Sequence, residues 1–271
     1  MSTPIFTGAG VALITPMNSD GSVNFDELGR LLEFQIENGT DAIIACGTTG
    51  EAATLSVEEH KAVLSYVAEK VNKRIPVIAG TGSNDTATAI SLSKSAQKYG
   101  ADGLLSVTPY YNKTSQAGLV KHFTTIADSV DLPIILYNVP SRTGCNMQPK
   151  TYAELEKHQN IVGVKEANGD ISSVSLTRSL CSDDFAIYSG NDDQTVPFMS
   201  LGGKGVISVF SNFCPKEMHE ICQACLDNDF QRAAEMNFHF VELMDIMFSD
   251  VNPIPVKTAM NLIGFNAGEC R

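Results

Sequence analysis

Short, nearly unbroken apolar runs recur along the chain, and amphipathic stretches lie between them. The runs are "GVALITPM" (10–17), "AIIACG" (42–47), "PVIAG" (76–80), "GLLSVTP" (103–109), "PIILYNV" (133–139), "IVGVKEA" (161–167), "FAIYSG" (185–190) and "GVISVF" (205–210). Strands buried on both faces of a parallel sheet have this character, because neither face alternates with water. The intervening segments carry a helical period. "NFDELGRLLEFQIENG" sets Phe25, Leu28, Leu31, Leu32 and Ile36 on one stripe and ends on Gly39, a helix-stop signal. "SVEEHKAVLSYVAEKVN" opens with Ser56 and Glu59 at the spacing of a capping box. "NDTATAISLSKSAQKYG" and "SQAGLVKHFTTIADSV" follow the same plan.

Eight such β/α units within residues 1–213 predict an α/β fold, a (β/α)8 TIM barrel. An open doubly wound sheet is the alternative, because eight strands do not by themselves prove closure. Residues 214–271 carry helical patterns with no strands between them and are expected to form a C-terminal helical extension. No Pro/Gly/Ser-rich linker separates the two parts.

Composition narrows the classes. The chain has 271 residues, 43% of them apolar, enough for one large core or two small ones. No apolar run approaches the roughly 20 residues that span a bilayer. "MSTPIFTGAG" has neither a basic start nor a long apolar stretch, so a cytoplasmic protein is expected. A net charge of −12 argues against nucleic-acid and anionic-membrane partners, which need a basic face. The seven cysteines are scattered and odd in number, and free thiols are expected. "HEICQAC" (219–225) has the only metal-like spacing. A structural zinc site usually needs four ligands, and Cys222 and Cys225, one helical turn apart, fit helix packing better.

Candidate chemistry collects where each apolar run ends, in "CGTTGE", "TPYYNK", "YNVPSRTG", "KEANGD" and "SGNDD". In a barrel these ends share one mouth, where active sites sit. Lys165 closes a run that otherwise reads as buried strand. Burial disfavours a charged amine, and a neutral one attacks carbonyls to form a Schiff base. The same lysine could instead carry its head to solvent, paired with Glu166 or Asp170. Tyr137, at the end of the neighbouring strand, could move protons, as could Tyr110, Tyr111, Thr48 and Thr49; each could also be a barrel-capping aromatic or a turn residue. Arg142 has the fork that grips a carboxylate, or is simply solvated.

Taken in order, "GTTGE", "TPYYN", "YNVPSRTG", "GVKEA" and "NPIPVKTAMNLIG" make the chain resemble, over nearly its whole length, the dihydrodipicolinate synthase family of pyruvate-lysine aldolases. The resemblance implies a lyase that condenses pyruvate with aspartate semialdehyde on the route to diaminopimelate and lysine. It implies that Lys165 forms the imine with pyruvate and that Tyr137 donates and accepts protons. Thr48 would link Tyr137 to Tyr111, the latter supplied by a neighbouring subunit. Thr49 and the backbone of Ile207 would bind pyruvate. Arg142 would meet the carboxylate of the semialdehyde, with the loop at Gly190 close by. No metal or organic cofactor is implied, because the lysine imine is itself the electron sink. Sialic acid lyases and keto-deoxy sugar acid aldolases share the barrel and lysine. The pair Thr48-Thr49 and the presence of Arg142 favour the synthase. A catalytically silent barrel is the third possibility, and retention of Lys165, Tyr137, Thr48 and Tyr111 argues against it.

Two departures from the family pattern carry expectations. Its lysine-effector pocket falls near Ala52, Val57, His60, Asn84, Thr88 and Tyr110, with Val57 replacing a polar residue and Thr88 a glutamate. A lysine ligand would then lack a partner for its amine, so feedback inhibition is expected to be weak or missing. The family pattern also runs through another helix beyond Arg271, so the extension reads as shortened. The expected assembly is a homo-oligomer, the family's tetramer or a dimer.

Overall fold

The computed structural model describes residues 4–271. Eight parallel strands pair in sequence order and close on themselves: β1 Gly8–Ala12, β2 Ala42–Ala45, β3 Val77–Gly80, β4 Gly103–Val107, β5 Ile134–Asn138, β6 Ile161–Glu166, β7 Ala186–Ser189 and β8 Gly205–Ser208. Closure excludes the open sheet. The helices are α1 Phe25–Glu37, α2 Val57–Val71, α3 Thr86–Tyr99, α4 Gln116–Ala127, α5 Pro140–Thr143, α6 Pro149–Leu155, α7 Ile171–Leu180, α8 Thr195–Ser200, α9 Pro215–Leu226, α10 Phe230–Ile246 and α11 Ile254–Leu262.

Seven of the eight apolar runs contain a strand and the first overlaps one, and alternation along each strand builds two cores. Val11, Ile43, Leu104, Leu136 and Val164 pack outward against helices, while Ala42, Ile44, Ile78, Ile135 and Ile207 fill the barrel. The seam between β1 and β8 requires glycine. Gly205 stands opposite Gly8 at φ +151°, and a Cβ there would lie 1.9 Å from the Gly8 carbonyl oxygen.

The first strand starts and stops earlier than its apolar run suggests. Past Ala12 the Leu13 N–H still donates to Ile44 O at 3.0 Å, but the next amide, Ile14 N–H, donates to the Asn212 side chain at 3.0 Å and leaves the sheet. Helix α1 ends on Asn38, with Gly39 following at φ +83°. Ser56 and Glu59 form the capping box: Glu59 N–H donates to Ser56 Oγ at 3.2 Å and Ser56 N–H to Glu59 Oε2 at 2.8 Å.

Met218, Ile221 and Cys222 of α9 pack with Ala9 of β1 and Val206 of β8. Helix α9 therefore covers the barrel seam as the helix of the eighth β/α unit. Residue 214, where the sequence pattern sets the opening of the extension, is its N-cap. Only α10 and α11 lie beyond that unit.

Cys222 and Cys225 are buried in this helix core, and all seven thiols are free. Among the described residues no three His, Cys, Asp or Glu side chains are grouped to hold a metal ion, and no helix is long and apolar enough to cross a membrane.

Candidate active site

Strands β5 and β6 place the two central side chains. Tyr137 and Lys165 are cross-strand partners in the ladder, so both point into the barrel near its C-terminal mouth. Lys165 is 5% exposed, and its Nζ lies over the face of the Tyr137 ring, 4.5 Å from the centroid. It forms no salt bridge with any described residue. The alternative partners are engaged elsewhere. Asp170 caps α7, accepting from Ser172 N–H at 2.9 Å, and Glu166 faces the opposite side of β6.

Tyr137 also lines a cavity of about 560 Å3, together with Thr48, Leu105, Arg142 and Asn252. Thr49 is buried beside it and accepts a hydrogen bond from Asn252 Nδ2 at 3.0 Å. The Arg142 guanidinium donates to the Asn252 carbonyl at 3.1 Å. Asn252 thus joins Thr49 to Arg142, and its own Oδ1 is buried without a protein partner. Ile207 is fully buried on β8 in the barrel interior. Gly190 follows β7, donating its N–H to the Glu166 carbonyl at 2.8 Å, and a Cβ there would lie 2.6 Å from the Ala167 side chain.

Within the one chain, Tyr111 stands apart from these groups. It is 92% exposed, on a backbone with φ +68° that a residue with a Cβ seldom adopts. Its neighbour Tyr110 lines the cavity instead. Of the six effector-pocket positions, Ala52, Val57, His60, Thr88 and Tyr110 line this same cavity. The His60 Nε2 is tied to the Gly80 carbonyl at 2.8 Å, and the Thr88 hydroxyl donates to Asp85 at 2.6 Å.

Sequence reasoning passed over three features of the site. The first is Asn252. The second is a buried ion pair: Lys257 of α11, 2% exposed, donates to Glu51 Oε1 at 2.7 Å. Glu51 ends the "GTTGE" loop that carries Thr48 and Thr49, and its other oxygen accepts from Arg271 N–H at 2.9 Å. Both Asn252 and Lys257 lie in "NPIPVKTAMNLIG", so the motif was visible while its contacts were not. The third is Asp192, buried after β7, whose Oδ2 accepts from the N–H groups of Val209 and Phe210 at 3.1 and 3.0 Å. Burial raises its carboxyl above the ordinary range.

A closed parallel barrel with hydroxyls, an arginine and a buried lysine at its C-terminal mouth defines the class: a (β/α)8 enzyme, a class whose active sites lie at the strand ends. The chain belongs to the dihydrodipicolinate synthetase family, whose model matches residues 5–271. A 4-hydroxy-tetrahydrodipicolinate synthase from Acetivibrio thermocellus is 56% identical over 271 residues, covering all of this chain and 92% of the relative. Among solved structures, a dihydrodipicolinate synthase from Acinetobacter baumannii complexed with pyruvate superposes with a TM-score of 0.96 at 46% identity, over 98% of this chain and 91% of that one. Another, from Cyanidioschyzon merolae with lysine bound, has a TM-score of 0.96 at 40% identity, over 99% of this chain and 92% of that one.

Proposed function

We propose that the chain catalyses the 4-hydroxy-tetrahydrodipicolinate synthase reaction, the condensation of pyruvate with L-aspartate 4-semialdehyde. The observation that carries this reading is the registered pair of Lys165 and Tyr137, a buried amine over a tyrosine ring at the barrel mouth. The Lys165 amine attacks the keto carbon of pyruvate, and water leaves to give the imine. Loss of a proton from the pyruvyl methyl gives an enamine, whose carbon attacks the aldehyde and forms the new C–C bond. The amino group of the semialdehyde then attacks the imine carbon, closes the ring and releases the lysine. Tyr137 supplies and takes up the protons these steps require.

Thr48 shares the cavity with Tyr137 and is assigned to relay those protons onward. Thr49 and the Ile207 backbone hold pyruvate. Arg142 grips the semialdehyde carboxylate, near the loop at Gly190. The exposure of Tyr111 in the single chain supports its being used by a second copy, so the working form is proposed to be a homo-oligomer, a tetramer or a dimer. Free thiols throughout support a cytoplasmic setting.

The test is a competition of aldehydes with pyruvate in excess. Consumption of aspartate semialdehyde alone is expected. Preferential consumption of N-acetylmannosamine or a small sugar aldehyde would assign the chain to a sugar-acid lyase instead. Consumption of none would point to a silent barrel.

A further inference from the structure

We infer that Glu166, acting through Asn138 and Tyr152, is a positioning residue that locks β5 and β6 in the one register that sets Lys165 beside Tyr137. This rests on the assignment of Lys165 and Tyr137 proposed above. The ladder pairs Tyr137 with Lys165 and, one step further, Asn138 with Glu166. Successive side chains point to opposite faces, so the first pair faces the barrel interior and the second faces the helices. On that outer face Asn138 Nδ2 donates to both Glu166 carboxylate oxygens, at 2.9 and 3.2 Å. The Tyr152 hydroxyl of α6 donates to Oε2 at 2.6 Å, and Asn168 N–H to Oε1 at 3.0 Å. Asn138 is held in turn, donating to Asn146 Oδ1 at 2.8 Å and accepting from Met147 N–H at 3.0 Å. Glu166, Asn138 and Tyr152 are all buried.

Apolar patterning alone specifies this register weakly. Ile134, Ile135 and Leu136 pair with Ile161, Gly163 and Val164, and a slip by one residue toward the start of β6 would still oppose no polar side chain to them. The ladder does shift at that end. Ile134 pairs with Ile161 but Ile135 pairs with Gly163, leaving Val162 over. The next pairs are in step, and the polar cluster closes their far end. A buried carboxylate accepting four hydrogen bonds tolerates one alignment, because any slip leaves the donors and acceptors unpaired. One residue of slip would turn Lys165 away from the barrel interior.

The test compares Glu166→Gln and Tyr152→Phe with the wild-type chain. Above pH 7, where the Glu166 carboxyl is ionised and accepts all four bonds, each is assayed for kcat per Lys165 site trapped by pyruvate and borohydride, for pyruvate KM, and for melting temperature. The Gln amide would point a donor at another donor, Asn138 Nδ2 or the Tyr152 hydroxyl. Glu166→Gln is expected to lower kcat per trapped site by about 10- to 100-fold, the scale of an ångström-level misplacement. Pyruvate KM should move less than about threefold, since the pyruvate contacts remain. Tyr152→Phe should act in the same direction by about 3- to 10-fold. The double variant should add little to Glu166→Gln, because both act through one carboxylate. A folded Glu166→Gln protein with wild-type kcat per trapped site would overturn the proposal, even with a lowered melting temperature. If that variant does not fold, unchanged kcat per trapped site in Tyr152→Phe overturns it. Failure of the wild-type chain to trap pyruvate at Lys165 would instead overturn the lysine assignment, and this positioning role with it.

Discussion

Two loops at the barrel mouth carry candidate hydroxyl groups and are built in opposite ways. The β2–α2 loop, with Thr48 and Thr49, is fastened from within the chain. Asn252 holds the Thr49 hydroxyl, and the Lys257–Glu51 pair anchors the loop's far end to α11. The β4–α4 loop, with Tyr110 and Tyr111, is fastened far less. Tyr111 faces solvent, and Asn112 makes one side-chain tie, to the Asn84 carbonyl at 3.0 Å. The first loop has its geometry set by residues about two hundred positions away. The second presents a side chain that its own chain does not bury, as a group meant for a second copy would be.

The largest expected effect strikes the fastened loop. Lys257→Met leaves Glu51 as a buried charge without its partner, and should lower unfolding stability by about 3–5 kcal/mol. Denaturant titration checks this; a loss under 1 kcal/mol would mean that the pair does not fasten the loop.

Next comes pH, through the fastened outer face of β6. Burial raises the Glu166 carboxyl from the ordinary 4.5 to about 7, against the lowering pull of Tyr152, Asn138 and the neighbouring backbone N–H groups. The Tyr152 phenol, raised well above its usual value by burial and by that carboxylate, stays neutral. The Cys181 thiol nearby is raised too. Between pH 4.5 and 7 the folded chain keeps a proton that the unfolded chain has released. This contribution to stability is therefore full below about 4.5 and is lost as pH rises through about 7, a change of about 3 kcal/mol. Stability measured by denaturant at a series of pH values should fall over that range. The fall should flatten in Glu166→Gln, and an equal slope in both proteins would contradict it.

Tyr111→Phe probes the unfastened loop. Stability should change by less than about 0.5 kcal/mol, as for other exposed substitutions. Specific activity should drop, and mixing with an inactive Lys165→Ala chain should restore part of it, because the hydroxyl then comes from a different copy. No restoration on mixing would place Tyr111 with its own site. The smallest effect is expected from free lysine. In the cavity beside the fastened loop, Glu51 is committed to Lys257 and Thr88 to Asp85, leaving a ligand's ammonium without a carboxylate. Initial rates at millimolar lysine should match those without it, and strong inhibition below a millimolar would refute this.

The same contrast explains what could be read in advance. The eight strands were legible because a sheet buried on both faces leaves nearly continuous apolar runs. The capping box at Ser56 and Glu59 was legible because its partners are three residues apart. Lys165, Tyr137, Thr48 and Arg142 stood out as polar residues ending apolar runs. The contacts that hold them did not, because the partners lie far apart in sequence: Thr49 with Asn252, and Glu51 with Lys257. Glu166 read as a possible partner for Lys165, yet strand alternation sends it to the other face, where Tyr152 waits. Helix α9 read as part of an extension because no strand follows it, although its apolar face closes the barrel seam.

The most direct measurement is reduction with borohydride in the presence of pyruvate, followed by peptide mapping of the intact chain. A reduced pyruvyl adduct on Lys165 alone is expected, and it should vanish in Lys165→Ala. An adduct on another lysine, or none on the folded protein, would contradict the assignment of Lys165 as the imine-forming amine.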